Sequence, residues 1–169
     1  MAEKSKLDTI ANIAIIIVCV IASVVLVRNF FFQPGPAGPP MVEKGDRLEA
    51  LQAELPAGAD RTLVLALSPQ CGYCTESMPF YKRLVDERNQ KGSNVKVVAA
   101  VGQPEALQPE QASLTSAGVT PDALIDLDFQ TLKINGTPTV LLVDGKGKVL
   151  DVWFGKLTEG DEKKVLATL

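Results

Sequence analysis

The residues best placed for chemistry are Cys71 and Cys74, in the run Ser68-Pro69-Gln70-Cys71-Gly72-Tyr73-Cys74. Two thiols at this spacing can hold a metal, make and break a disulfide, or pack inertly. A structural metal site takes four ligands. The third cysteine, Cys19, lies in a distant apolar run, and the 169 residues contain no histidine, so a ligand set is missing. The same absence removes Ser-His-Asp and Cys-His triads, histidine-bound metals and the usual imidazole base. Disulfide chemistry remains, with inert packing as its competitor. Cys71 follows a strand-like run and opens a helix-like one, so the first amides and positive end of a helix would stabilise a thiolate there. Cys74 would sit one turn on, within bonding reach. With 17 basic and 20 acidic residues, net charge −3 and no basic stripe, nucleic acid is not an expected partner.

The pair needs elements to position it. Thr62–Leu67 is an unbroken apolar run of the kind that fills a buried strand. Cys74 to about Asn89 reads as a helix, closed by Lys91-Gly92. Val95–Val101 is a second strand, and Pro104–Ala117 a helix that Gly118 stops. Thr139–Val143 and Val149–Phe154 flank Asp144-Gly145-Lys146-Gly147-Lys148, a hairpin signal. Thr158 caps a last helix to Leu169, with Asp161 in a capping-box-like position. Ahead of these, Glu43–Leu55 carries Leu48, Leu51 and Leu55 at helical spacing and ends at Pro56. Asp122–Leu132 shows no clear period. The order strand, helix, strand, helix, strand, strand, helix predicts an α/β fold, a mixed β-sheet sandwiched by helices.

The amino-terminal quarter reads differently. Ile10–Val27 carries no charge and reaches roughly 27 Å as a helix, enough for a single transmembrane anchor with Phe30, Phe31 and Phe32 in the interface. Lys4 and Lys6 before the run also suit a cleaved signal peptide, with Pro36-Ala37 as the site, and a buried globular helix is a third reading. Cys19 lacks the small preceding residue that a lipid-attached cysteine prefers and reads as packing. The positive bias before the span places residues 1–9 in the cytoplasm and exports the rest, where disulfides persist. Residues 28–42 hold Gln33-Pro-Gly-Pro-Ala-Gly-Pro-Pro40, an extended tether of roughly 25 Å, and the folded domain occupies 43–169.

Three separated features resemble the thioredoxin superfamily. Cys71-Gly72-Tyr73-Cys74 has Pro79 five residues after its second cysteine, where thioredoxin-like domains place a helix-kinking proline. Gly136-Thr137-Pro138-Thr139 precedes a strand, as does the loop whose cis-proline lies against the active-site disulfide. The hairpin around Asp144, followed by Gly155 and a terminal helix, is similar to the ending of the TlpA/ResA-type membrane-anchored thiol-disulfide oxidoreductases. Departures are specific too. Gln70 stands where related reductases carry Trp, and Leu65 where thioredoxins bury an aspartate. Ser77 stands where anchored reductases place a glutamate, with Glu76 displaced by one.

The resemblance implies an exported, membrane-anchored enzyme whose only redox group is a Cys71–Cys74 disulfide, without cofactor or metal. Cys71 attacks a substrate disulfide and Cys74 resolves the mixed disulfide. Thr137, Pro138 and Tyr73 shape the substrate surface, and Glu76 is the candidate proton acceptor. Implied partners are protein thiols and disulfides, apocytochrome c among them, and a membrane electron donor that re-reduces the pair. Gly72-Tyr73 and Thr137 also resemble exported disulfide isomerases, so reductant, oxidase and isomerase stay open, as does a redox-inactive binding domain.

Overall fold

The computed structural model describes the backbone of residues 2–31, 39–56 and 58–169, with the side chains of residues 12–28 in the first helix. The chain divides into a unit that ends at Gly38 and a unit Pro39–Leu169.

The first unit contains one helix, α1 (Ala2–Phe31). Its described side chains from Asn12 to Arg28 are exposed, and the consecutive Ile15, Ile16, Ile17 and Val18 distribute apolar surface around it, so no single face is marked for burial. Among the described residues no helix is long and apolar enough to cross a membrane. Ile10, Ala11 and residues 1–9 lie outside the described side chains, and residues 32–38 of the expected tether lie outside the described residues.

The second unit is built on a five-stranded sheet in the order β3-β2-β1-β4-β5. Its strands are β1 (Arg61–Leu67), β2 (Lys96–Val101), β3 (Ala123–Asp126), β4 (Thr139–Asp144) and β5 (Val149–Phe154). The first three run parallel, β4 is antiparallel to β1, and β5 is antiparallel to β4. β1 is apolar from Leu63 to Leu67 because it is central and covered on both faces. Leu63, Leu65 and Leu67 join one buried cluster, and Val64 and Ala66 the other.

Helices α3 (Gly72–Lys91), α4 (Leu107–Ser116) and α5 (Glu159–Leu166) supply the first cluster through residues such as Tyr81, Leu114 and Val165. The second cluster draws on Val42, Leu51 of α2 (Glu49–Glu54), Leu132 and Ile134. At α5, the Thr158 hydroxyl accepts from the Asp161 amide at 3.3 Å, the cap expected from its sequence. The Arg88–Asp122 ion pair and a 2.8 Å bond from the Val97 amide to Asp122 tie α3 and β2 to the start of β3.

Three expectations need correction. The helix over Glu43–Leu55 shrinks to Glu49–Glu54 because the preceding backbone bonds to the hairpin instead. The Gly45 amide donates to Val149 O at 2.9 Å and the Leu48 amide to Gly147 O at 2.9 Å, while Gly45 takes φ +100°. Pro104–Ala117 divides into a 3-10 turn, Pro104–Ala106, and α4, because Pro109 has no amide hydrogen to continue an α-helix from the earlier start. The stretch without a period, Asp122–Leu132, contributes the edge strand β3, a short crossover pairing parallel to β2.

Candidate functional site

β1 ends at Leu67, and the chain turns through Ser68-Pro69-Gln70, closed by the Cys71 amide donating to Ser68 O at 3.0 Å. Cys71 is thereby left in extended conformation as the N-cap of α3, where its sulfur accepts from the Cys74 amide at 3.1 Å. The same amide lies 3.1 Å from Cys71 O, so its hydrogen is shared between the backbone carbonyl and the sulfur at the helix end. Cys71 and Cys74 form a disulfide with Cα atoms 5.2 Å apart. Cys71 is partly exposed and Cys74 is 1% exposed, so the pair presents one sulfur to a partner and hides the other.

The Thr137–Pro138 loop lies opposite. Its peptide bond is cis, and Thr137 O sits 3.3 Å from Cys71 Sγ. In the disulfide that sulfur has no proton, so this is a contact. In the thiol it becomes an S–H···O hydrogen bond. The loop is held from both sides: the Thr139 hydroxyl donates to Gly136 O at 2.7 Å, and the Gly155 amide to Pro138 O at 2.7 Å.

The remaining sequence-predicted site residues are placed unequally. Tyr73 is 61% exposed in the first turn of α3, beside the cysteines. Glu76 is brought to the surface rather than to Cys74. Its carboxylate pairs with Lys156 Nζ at 2.7 Å, and that hydrogen bond and charge hold the Lys156 ammonium above its ordinary range. Ser77, in contrast, is buried, and its hydroxyl donates to Tyr73 O at 2.7 Å.

Two parts of the site escaped sequence reasoning. One is a cleft of about 430 Å³ beside Cys71, lined by Leu67, Ser68, Gln70, Phe129, Gln130 and Thr137 among others. A Cβ on Gly102 would lie 3.0 Å from the Phe129 ring, so glycine at the end of β2 lets that ring seat against the backbone. The usable signal was Asp128, which accepts from the Gln130 and Thr131 amides and bonds the Thr131 hydroxyl at 2.6 Å. These bonds, led by the Thr131 hydroxyl, hold the Asp128 carboxyl below its ordinary range. Asx chemistry of this kind marks an ordered turn even where no periodicity shows.

The other part is a buried polar group beneath α3. Tyr81, 1% exposed, lies on the face of α3 that also carries Cys74 and Ser77. Burial raises its phenol above the usual range, the Ser77 hydroxyl opposes that, and the charge of Glu110 adds to it. Glu110 in α4 is itself 1% exposed, neither carboxylate oxygen has a hydrogen-bond partner among the described residues, and burial raises its carboxyl.

The family of thioredoxin-like domains matches residues 48–169. The chain belongs to that family. Among solved structures, StoA from Bacillus subtilis superposes with a TM-score of 0.52 at 19% identity, covering 77% of this chain and 98% of that one. A thiol-disulfide isomerase from Corynebacterium glutamicum gives 0.53 at 18% identity over 78% and 96%. A candidate thiol:disulfide interchange protein DsbE from Chlorobium tepidum gives 0.57 at 19% identity over 76% and 98%. No curated protein sequence matches significantly. The neighbours share the fold, and the Cys71–Cys74 pair stands at the spacing that disulfide exchange requires.

Proposed function

We propose that this protein is a membrane-tethered, extracytoplasmic thiol-disulfide oxidoreductase that reduces disulfides of protein substrates. The observation that carries the reading is the asymmetry of the pair: Cys71 partly exposed at the helix end with an amide on its sulfur, Cys74 buried one turn behind it. Reduced Cys71 attacks a substrate disulfide as a thiolate. A mixed disulfide forms, and the Cys74 thiolate attacks Cys71 Sγ, releasing the substrate's second thiol and leaving Cys71–Cys74 oxidised. Thr137 and Pro138 supply backbone beside the reacting sulfur, and exposed Tyr73 borders it. A membrane electron donor returns the pair to the dithiol, and apocytochrome c is the substrate suggested by the resemblance to TlpA/ResA-type proteins.

The reducing direction is favoured by what surrounds Cys71 Sγ. Strong oxidants stabilise the thiolate heavily. Here the polar contacts of that sulfur among the described residues are one amide donor and one carbonyl, and Lys156 is committed to Glu76. The uncharged apolar run through α1 supports the anchor, and export follows from the charge before it. Insulin reduction and a redox titration against glutathione test the activity and its direction. A potential near thioredoxin's about −270 mV supports a reductant, and one near about −120 mV reverses the direction. For the anchor, full-length protein should stay with membranes while protease outside spheroplasts digests the domain after Pro40. A soluble form beginning near Gly38 would replace the anchor with a cleaved signal.

A further inference from the structure

The proposed cycle leaves the cleft beside Cys71 without a role. Two of its lining residues adjoin the reacting sulfur: Gln70 precedes Cys71 in the chain, and the Thr137 carbonyl lies 3.3 Å from Cys71 Sγ. The others come from Gln103, just past β2, and from Asp128, Phe129 and Gln130, just past β3. A substrate cysteine that reaches Cys71 carries chain on both sides, so a neighbouring side chain is delivered to this cleft. Its volume of about 430 Å³ falls in the range of about 300–1,000 Å³ over which pockets hold ligands.

We infer that this cleft receives a lysine or arginine side chain next to the substrate's reacting cysteine, with Asp128 as the specificity-determining residue. This rests on the oxidoreductase reading above and names the substrate class of that site: proteins with a basic residue beside the target cysteine.

The chemistry of the lining selects the occupant. Among the described residues that line the cleft, Asp128 is the one that carries charge, and no base lines it. Asp128 takes part in no salt bridge among the described residues, and Lys133, the nearest lysine in the chain, is paired with Asp46 at 3.3 Å. Its oxygens accept from the Gln130 and Thr131 amides and the Thr131 hydroxyl, which hold the carboxylate in place and ionised. A carboxylate has about four acceptor sites, so one more donor can be taken. The next residue is Phe129, half-buried with its ring against Gly102. A ring and a carboxylate on consecutive residues suit a long basic side chain, whose stem lies on apolar surface while its charge meets the acid. The amides of Gln70, Gln103 and Gln130 add neutral acceptors. An apolar occupant would cover Asp128 and these amides without supplying a donor, and an acidic one would meet like charge.

The test uses reduced full-length protein in detergent micelles, in a Cys19→Ser background so that Cys71 and Cys74 are the only thiols. The probes are alanine-rich peptides whose single cysteine is disulfide-bonded to 5-thio-2-nitrobenzoate, with arginine, glutamine or glutamate placed on either side of it. The Cys71 thiolate bonds the peptide sulfur, and the electron pair of the broken S–S bond leaves as the coloured thiolate, followed by stopped flow at pH 7. Cys74 then displaces the peptide thiol and closes the Cys71–Cys74 disulfide. Each rate is divided by that of 2-mercaptoethanol, a neutral thiol, on the same peptide. On at least one side, arginine should exceed glutamate by about tenfold, with glutamine between them, from an exposed ion pair and a cation over a ring. The ratio should shrink as salt screens it. Asp128→Asn keeps an oxygen for the turn amides and should bring the ratio to within about threefold of one. Gln130→Lys, at an exposed position of the lining, should push it below one and serves alone if Asp128→Asn does not fold. A wild type without preference, one that favours glutamine or glutamate, or an arginine preference unchanged in either variant overturns the assignment. A wild type that keeps the peptide attached and never forms the Cys71–Cys74 disulfide, read by mass, overturns instead the oxidoreductase reading.

Discussion

Competition between the two thiols for an alkylating agent tests the site most directly. In the reduced protein the Cys74 amide remains aimed at Cys71 Sγ, at 3.1 Å in the disulfide form. A hydrogen bond to a charged acceptor contributes about 1.5–3 kcal/mol, and a helix end adds about 0.3–1 kcal/mol. The Thr137 carbonyl, 3.3 Å away, favours the protonated thiol and offsets part of this. A net of about 1.4–2.8 kcal/mol multiplies the thiolate fraction at pH 7, about 3% for a free cysteine, by roughly eight to twenty-five. A stabilised thiolate is also a weaker nucleophile, with a Brønsted slope of about 0.4–0.5, so the gain in rate falls to roughly threefold. Burial then separates the thiols further, because Cys74 at 1% exposure reacts only through local opening. Together these predict that iodoacetamide at pH 7 labels Cys71 at least about thirtyfold faster than Cys74, read by mass spectrometry of peptides quenched at short times. Equal labelling, or Cys74 first, would refute the assigned roles while leaving the fold untouched.

The same asymmetry predicts that Cys74→Ser accumulates a mixed disulfide through Cys71, seen as a mass adduct on a non-reducing gel, while Cys71→Ser traps nothing and is inactive. Glu76→Gln should leave insulin reduction within about twofold, because this carboxylate faces solvent and Lys156 rather than Cys74. Asp122→Ala should cost about 3 kcal/mol in urea unfolding, since it strands the Arg88 guanidinium, with its side chain 10% exposed, and frees the Val97 amide. The raised Glu110 carboxyl means that the folded state holds a proton which the unfolded chain has already released. Stability of the oxidised protein should therefore fall as pH rises from the ordinary carboxylate range through the folded value, by up to about 1.4 kcal/mol per pH unit. Glu110→Gln should abolish that slope, and urea midpoints at pH 5 and pH 8 for the two proteins check it.

The parts of this architecture that could be read from sequence are those in which a local pattern and its tertiary use coincide. β1 is apolar at consecutive positions because both faces are covered, and Asp144–Lys148 is a turn in either setting. Cys71 stands out because a cysteine at a helix start is chemically unusual. Glu43–Leu55 failed for the opposite reason: its leucine spacing is helical, yet Gly45 and Leu48 find their acceptors on the hairpin some hundred residues away. No local pattern reports an acceptor supplied from that distance. Asp122–Leu132 was opaque because β3 is four residues long and only partly buried, too short for any period to show.

Glu110 marks the limit of such reading from another side. In sequence it is an acid just after Pro109 inside the predicted helix Pro104–Ala117, where acids are common and normally solvated. Only the packing of α4 onto α3 turns it inward against Tyr81. Leu65 and Ser77 showed that two positions used by related proteins for an acid are apolar or neutral here. A chain with a buried resolving thiol and neutral residues at both positions must either place its acceptor elsewhere in the core or resolve mixed disulfides slowly. The only buried acid among the described residues is Glu110 of α4, whose charge acts on Tyr81 of α3. The rate of the second exchange step therefore decides between these two outcomes.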